Sequence, residues 1–258
     1  QQQKQKALAE AGHPFTVDAF LNTSKAGELS LVLDYLDAGM DVHAKTSGGG
    51  TTALHFAVLG GMQTMVQLLL RHGADPNTKN TAGETPLHLA VARKNSYIVA
   101  LLLADGADAN ITNRQGWSSM HIAANDGSEE IFALMENQNG NINKPTRIGM
   151  TPLMLATWKG HTRLALYLIA IGADTTATDP QGNNAFLLAV THERPQVVEF
   201  LLAKGADPNQ RNMRGWSAIE IALKNDNLRL ANVLYAAGAI APDTESQRRA
   251  PTLDSGRR

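Results

Sequence analysis

Residues 83–110 read Gly83-Glu84-Thr85-Pro86-Leu87-His88-Leu89-Ala90-Val91-Ala92-Arg93-Lys94-Asn95-Ser96-Tyr97-Ile98-Val99-Ala100-Leu101-Leu102-Leu103-Ala104-Asp105-Gly106-Ala107-Asp108-Ala109-Asn110. Several signals sit together here. Thr85 is a helix-capping residue, and Pro86 follows it in the first turn, where no amide hydrogen is missed. Leu87, Ala90 and Val91 recur at helical spacing, and Ile98-Val99 with Leu101-Leu102-Leu103 forms a second apolar run. Gly106 stops that run, because glycine enters the left-handed region without steric cost. The stretch predicts two short helices and a turn.

The rest of the chain is built as copies of it. The opening glycine returns at Gly50, Gly83, Gly116, Gly149, Gly182 and Gly215, each 33 residues after the last. The closing glycine returns at Gly73, Gly106, Gly172, Gly205 and Gly238. The one gap falls at Asn139, a residue type that tolerates positive φ. A small alanine recurs at Ala57, Ala90, Ala123, Ala156, Ala189 and Ala222, which lets neighbouring helices approach closely. A helix pair of this size cannot bury its apolar face alone, so the units must stack.

A period of 33 carrying Thr-Pro-Leu-His-x-Ala resembles the ankyrin-repeat family over about residues 14–240. The resemblance implies an all-α ankyrin-repeat solenoid. It would have a degenerate N-terminal capping repeat at 14–46 and six repeats with β-turn fingers at 47–79, 80–112, 113–145, 146–178, 179–211 and 212–240. Residues 1–13 are expected to be a polar segment, frayed or a short helix, and 241–258 a disordered tail. Asn22, Thr23, Ser24 and Lys25 stand where other repeats have alanine, as expected of a capping unit with one wet face. The first finger, Thr46-Ser47-Gly48-Gly49-Gly50, carries one extra residue and reads as a flexible loop; it lacks the Lys-Ser/Thr of a phosphate loop. Repeats four, six and seven depart from the motif at Ser118-Ser119-Met120-His121, Asn184-Ala185-Phe186-Leu187 and Ser217-Ala218-Ile219-Glu220.

Bulk composition excludes several classes. Lys+Arg number 23 against Asp+Glu 24, which argues against a general nucleic-acid or membrane-surface binder. Cysteine is absent, so there are no disulfides or thiolate metal sites. No apolar run approaches membrane-spanning length. His55, His88 and His121 are spaced by 33 and read as repeat histidines that bond the neighbouring finger. A metal ladder is excluded, since repeats about 10 Å apart are too distant for one ion to bridge. His192-Glu193 lacks the second histidine of a zinc-protease helix. No catalytic set stands out, so no enzyme activity, metal or cofactor is expected.

The family pattern implies a concave, protein-binding groove. It would be lined by the residues flanking each opening glycine and by the two after the Ala-x pair of each first helix. All three tryptophans fall there, and tryptophan, methionine and arginine are the residues in which binding hot spots are enriched. The candidate set is Arg93, Arg114, Trp117, Asp126, Arg147, Ile148, Met150, Trp158, Lys159, His192, Met213, Arg214 and Trp216. The pattern also runs through Gln181, Asn183, Lys224 and Asn225. The competing reading is that each tryptophan packs on the adjacent repeat. The groove is expected to centre on repeats four and five and extend to seven, with apolar anchors ringed by cations for a partner with an acidic and apolar surface. Aromatic and basic residues together also raise nucleic acid, against which Glu84, Asp126 and the neutral total count.

The sequence leads to a non-catalytic, monomeric binding protein, read as a regulator or inhibitor of a partner enzyme. The Gln1 start, absent cysteine and many Asn and Gln suggest a bacterial exported protein, periplasmic or secreted, with the cytoplasm as alternative. An effector or adaptor acting on host or cytosolic proteins is the other reading.

Overall fold

The computed structural model describes residues 1–241, and the expected disordered tail falls almost wholly outside them. Among the described residues there are fifteen α-helices, all short. In chain order they are α1 Gln2–Glu10, α2 Val17–Ala26, α3 Leu29–Asp37, α4 Ala53–Leu59, α5 Gln63–Arg71, α6 Pro86–Ala92, α7 Ser96–Ala104, α8 Ser119–Asp126, α9 Glu129–Glu136, α10 Pro152–Lys159, α11 Thr162–Ala170, α12 Ala185–Thr191, α13 Pro195–Ala203, α14 Ala218–Lys224 and α15 Leu228–Ala236. Extended backbone among these residues is limited to isolated bridges at finger bases, Lys45 with Thr52, Thr112 with Ser118 and Arg211 with Ser217. The chain divides into two compact units, Gln1–Arg147 and Ile148–Arg258.

In the first unit the first helices α2, α4, α6 and α8 pack in one row and the second helices α1, α3, α5, α7 and α9 in another. The second helices place bulk at the row interface: Met65, Val66, Leu69 and Leu70 of α5, and Ile98, Val99, Leu102 and Leu103 of α7, are buried. The alanines Ala57, Ala90 and Ala123 of the first helices are fully buried, where a larger side chain would separate the rows. In the second unit α10, α12 and α14 form the first-helix row, and α11 packs against α13. Each first helix also packs on the second helix that follows it.

The recurrent Gly-Ala-Asp-x-Asn has a structural reason at each end. Gly106 adopts φ +87° and donates to the Leu103 carbonyl, while Ala107 donates to Leu102, which closes the helix end. Asn139 takes the same role with φ +63°. After Gly73, Gly106 and Gly205 the asparagine four residues on reaches the next repeat. Asn77 Nδ2 donates to the Gly106 carbonyl at 2.9 Å, and its Oδ1 accepts from the Asp108 amide at 2.8 Å. Asn110 does the same with Asn139 and Asn141, and Asn209 with Gly238 and Ile240.

Of the two N-terminal expectations, one is narrowed to its short-helix alternative and one is revised. The polar start is a helix, α1, which buries Leu8 and lies against α3, with Gln5 donating to the Ala38 carbonyl at 2.9 Å. Its end, with Gly12 at φ +86° and His13 donating to Leu8, repeats the closing geometry of the later second helices. On α2, Asn22 and Lys25 are exposed, but Thr23 and Ser24 are buried rather than on a wet face. The Ser24 hydroxyl tolerates burial because it donates to the Phe20 carbonyl at 2.8 Å.

Leu102 is fully buried, whereas its neighbour Leu101 is half-buried. Leu102→Ala is expected to cost ~2–5 kcal/mol in urea denaturation, and Leu101→Ala clearly less. Equal losses would contradict the packing described.

Candidate functional site

The candidate residues sit on fingers and at the C-terminal ends of first helices, and in the first unit the fingers are held by buried imidazoles. His55, His88 and His121 are each almost wholly buried. Their Nδ1 atoms accept from the capping residue of the same helix, Thr52, Thr85 and Ser118, with hydroxyl distances of 2.8, 2.9 and 2.7 Å. Their Nε2–H groups donate to carbonyls in the next finger: Glu84 at 3.1 Å, Trp117 at 3.1 Å and Lys144 at 2.7 Å. These bonds fit one tautomer, neutral with the proton on Nε2. Burial disfavours the charged form and lowers all three pKa values, His121 to about 4. One of the clamped carbonyls belongs to Trp117, a candidate residue.

The second unit has no histidine at the corresponding positions, which are Met154, Leu187 and Glu220. Amides act instead. Asn184 Nδ2 reaches Gln210 Oε1 at 2.6 Å, and Asn212 Nδ2 reaches Asn183 Oδ1 at 2.9 Å; the Met213 amide donates to the Gln181 carbonyl at 2.9 Å, as Arg114 does to Ala82 in the first unit. Glu220 turns back to its own cap, accepting from the Ser217 amide at 2.8 Å, and pairs with Arg211. Finger spacing is tight: a Cβ on Gly182 would stand 2.8 Å from the Met213 nitrogen, so only glycine fits there.

In the first unit Arg93, Arg114 and Arg147 are exposed, and among the described residues none is in an ion pair. Trp117 is half-buried, its ring tilted against His121 at 6.3 Å between centroids. Asp126 is half-buried at the end of α8; its Oδ1 accepts from Asn125, and its carbonyl accepts from Lys94 Nζ at 3.3 Å.

In the second unit Trp158 is 42% exposed, with Lys159 Nζ 4.4 Å from its ring centroid and the His192 ring edge-on at 6.4 Å. Burial, then the neighbouring Arg194 charge, lowers the His192 pKa. Ile148 is 63% and Met213 79% exposed. Met150 is the exception, buried at 8%. Its place among surface anchors is withdrawn. Trp216 is half-buried under Lys224, whose Nζ lies 4.8 Å from the ring centroid. His192, Arg214 and Trp216 line one open pocket of about 280 Å³ with Gln181, Asn183, Leu188, Thr191, Asn212, Ile221, Lys224 and Asn225. The groove pattern ran through several of these, but their convergence on one pocket was not readable, because it depends on which side chains leave space. Among the described residues no group of His, Asp or Glu is arranged to hold a metal ion, and no helix is long and apolar enough to cross a membrane.

Family models for ankyrin repeats match residues 9–113, 92–179 and 169–222, together most of the chain. The chain belongs to the ankyrin-repeat family. Ankyrin repeats are a general protein–protein interaction module, typically a non-catalytic scaffold. The human ASB11 ankyrin repeat domain superposes with a TM-score of 0.72 at 24% identity, over 86% of this chain and 99% of that one, which is a likeness of fold. Among curated proteins, Zygote-specific protein 3 of Chlamydomonas reinhardtii is 41% identical over 63 residues, 24% of this chain and 16% of the relative. Potassium channel AKT3 of Oryza sativa subsp. japonica is 45% identical over 56 residues, 22% of this chain and 6% of the relative. Putative ankyrin repeat protein FPV018 of Fowlpox virus is 40% identical over 60 residues, 23% of this chain and 9% of the relative. The matched segments thus span less than a fifth of each curated relative.

The imidazole clamp makes stability depend on pH. An unfolded histidine takes up a proton below about pH 6.5, while the folded ones stay neutral further down. The unfolded state therefore binds more protons in this window, and stability falls as pH falls. His121 alone is expected to contribute about 3 kcal/mol of loss between about pH 7 and pH 4. Urea midpoints measured across that range should decline steadily; a midpoint unchanged between neutral pH and about pH 5 would contradict the clamp.

Proposed function

We propose that this protein acts by binding a partner protein through its finger tips and the C-terminal ends of its first helices. The observation that carries this reading is the set of exposed apolar side chains on the second unit. A tryptophan flanked by a lysine and a histidine ring shares that unit with exposed Ile148 and Met213. Large apolar side chains left in water, edged by cations, are what a protein interface covers. The cations favour a partner with acidic groups around an apolar centre. Arg93, Arg114 and Arg147 extend the same chemistry on the first unit without an ion partner among the described residues.

The role we favour is regulation by coverage, as an inhibitor or modulator of a partner enzyme. The candidate residues all belong to fingers and first helices, so each unit would offer one side to one partner. The family's non-catalytic character leaves binding as the chemistry.

Trp158→Ala and Trp117→Ala, each checked for native helicity, are expected to weaken a partner captured from the native organism by about 2 kcal/mol, roughly thirtyfold. Titration calorimetry on the purified pair measures this directly. If both variants bind as the parent does, the partner uses another surface and the reading is wrong. If the partner is an enzyme, loss of its activity on binding supports regulation by coverage, and unchanged turnover contradicts it.

A further inference from the structure

The pocket between the sixth and seventh fingers and helices α12 and α14 has a one-sided chemistry. Its charged lining residues are Arg214 and Lys224, and no carboxylate lines it. Much of the wall is already bonded. Asn212 donates to Asn183 and accepts from the Arg214 and Trp216 amides at 3.0 and 3.1 Å. Asn183 Nδ2 is held by Asp179 Oδ2 at 3.0 Å. Asp179 is held by the Gln181 and Asn183 amides at 2.9 and 2.8 Å, outside the pocket lining, and forms no ion pair with Arg214 or Lys224. Arg214 and Lys224 form no ion pair among the described residues. Lys224 instead lies over the Trp216 ring.

The walls are thus fixed, the floor is aromatic and two cations lack a counter-charge. We propose that this pocket takes the side-chain carboxylate of an aspartate or glutamate from the partner protein, with Arg214 and Lys224 as its counter-charges and Trp216 against its methylene stem. This rests on the protein-binding reading above and specifies one contact within it. Charge-assisted hydrogen bonds to a carboxylate are stronger than neutral ones, and pre-fixed walls lower the cost of ordering. An internal residue fits better than a chain end. Exposed apolar surface borders the pocket at two points, Trp158 beside His192 and Met213 beside Arg214, and a continuing chain covers both.

Indole N–H resonances in a nitrogen–proton correlation spectrum report on the pocket. The chain has three tryptophans, and Trp216→Phe assigns the relevant peak. The probe is an amidated deca-glutamate peptide. The expected result is a saturable shift of the Trp216 peak, with affinity reduced about tenfold or more in Arg214→Gln/Lys224→Gln. The charge-matched Lys204→Gln/Arg229→Gln, on the ends of second helices, should change it by less than about twofold. Deca-glutamine with a free carboxyl terminus should leave the peak in place. The proposal is overturned if deca-glutamate does not move the peak, if the pocket variant binds as the parent does, if the control variant weakens binding equally, or if deca-glutamine shifts the peak alike. Those failures leave the Trp158→Ala result on a whole partner untouched, so the two readings fail separately.

Discussion

Three histidines of the first unit, His55, His88 and His121, each do two jobs. In each, Nδ1 caps the helix it sits on, and Nε2–H holds the finger of the next repeat. Nothing else in the repeat ties helix start, finger base and neighbour together at once. In the first unit the position of each finger relative to the helix before it depends on that geometry, whereas the small alanines are buried in both units. A neutral, singly protonated imidazole is the only state that serves it, since a doubly protonated ring has no acceptor for the cap. Burial supplies that state by penalising charge.

The second unit solves the same problem differently, and this bears on binding. Asn184, Gln210, Asn183 and Asn212 replace imidazoles with amide pairs. Amides leave the wall between the sixth and seventh fingers polar and its cations uncompensated. In the first unit the arginines project from fingers and a helix end. The second unit presents cations over aromatic rings, and the first presents exposed arginines. That chemistry is why a partner with acidic groups around an apolar centre suits the chain better than a uniform polyanion, which would have no use for Trp158, Ile148 or Met213.

Backbone-driven features were legible in the sequence. Gly106 and its equivalents marked helix ends because few residues accept positive φ, and Asn139 could be placed by the same rule. His55, His88 and His121 were readable as finger clamps because their spacing equals the repeat. Features set by three-dimensional packing were not. Gln2–Glu10 looked unpatterned, yet one leucine and side-chain bonds from Lys4 and Gln5 dock it on α3. Thr23 and Ser24 looked wet because their chemistry is polar, but a hydroxyl bonded to its own helix is compatible with burial. Met150 occupied a groove position by pattern and folded inward, a choice its neighbours make for it. Trp158 and Met213 could be named as surface anchors from position alone, but their degree of exposure could not.

The account stands on the imidazole clamp, and the most direct measurement is nitrogen-detected NMR of the eight histidine side chains as pH is lowered. At about pH 6, where a free imidazole is already mostly charged, the clamp predicts that three of them, assigned as His55, His88 and His121 by substitution, remain neutral with the proton on Nε2. If these three titrate near pH 6.5, or carry the proton on Nδ1, the fingers of the first unit are not held as described and the placement of Trp117 falls with them.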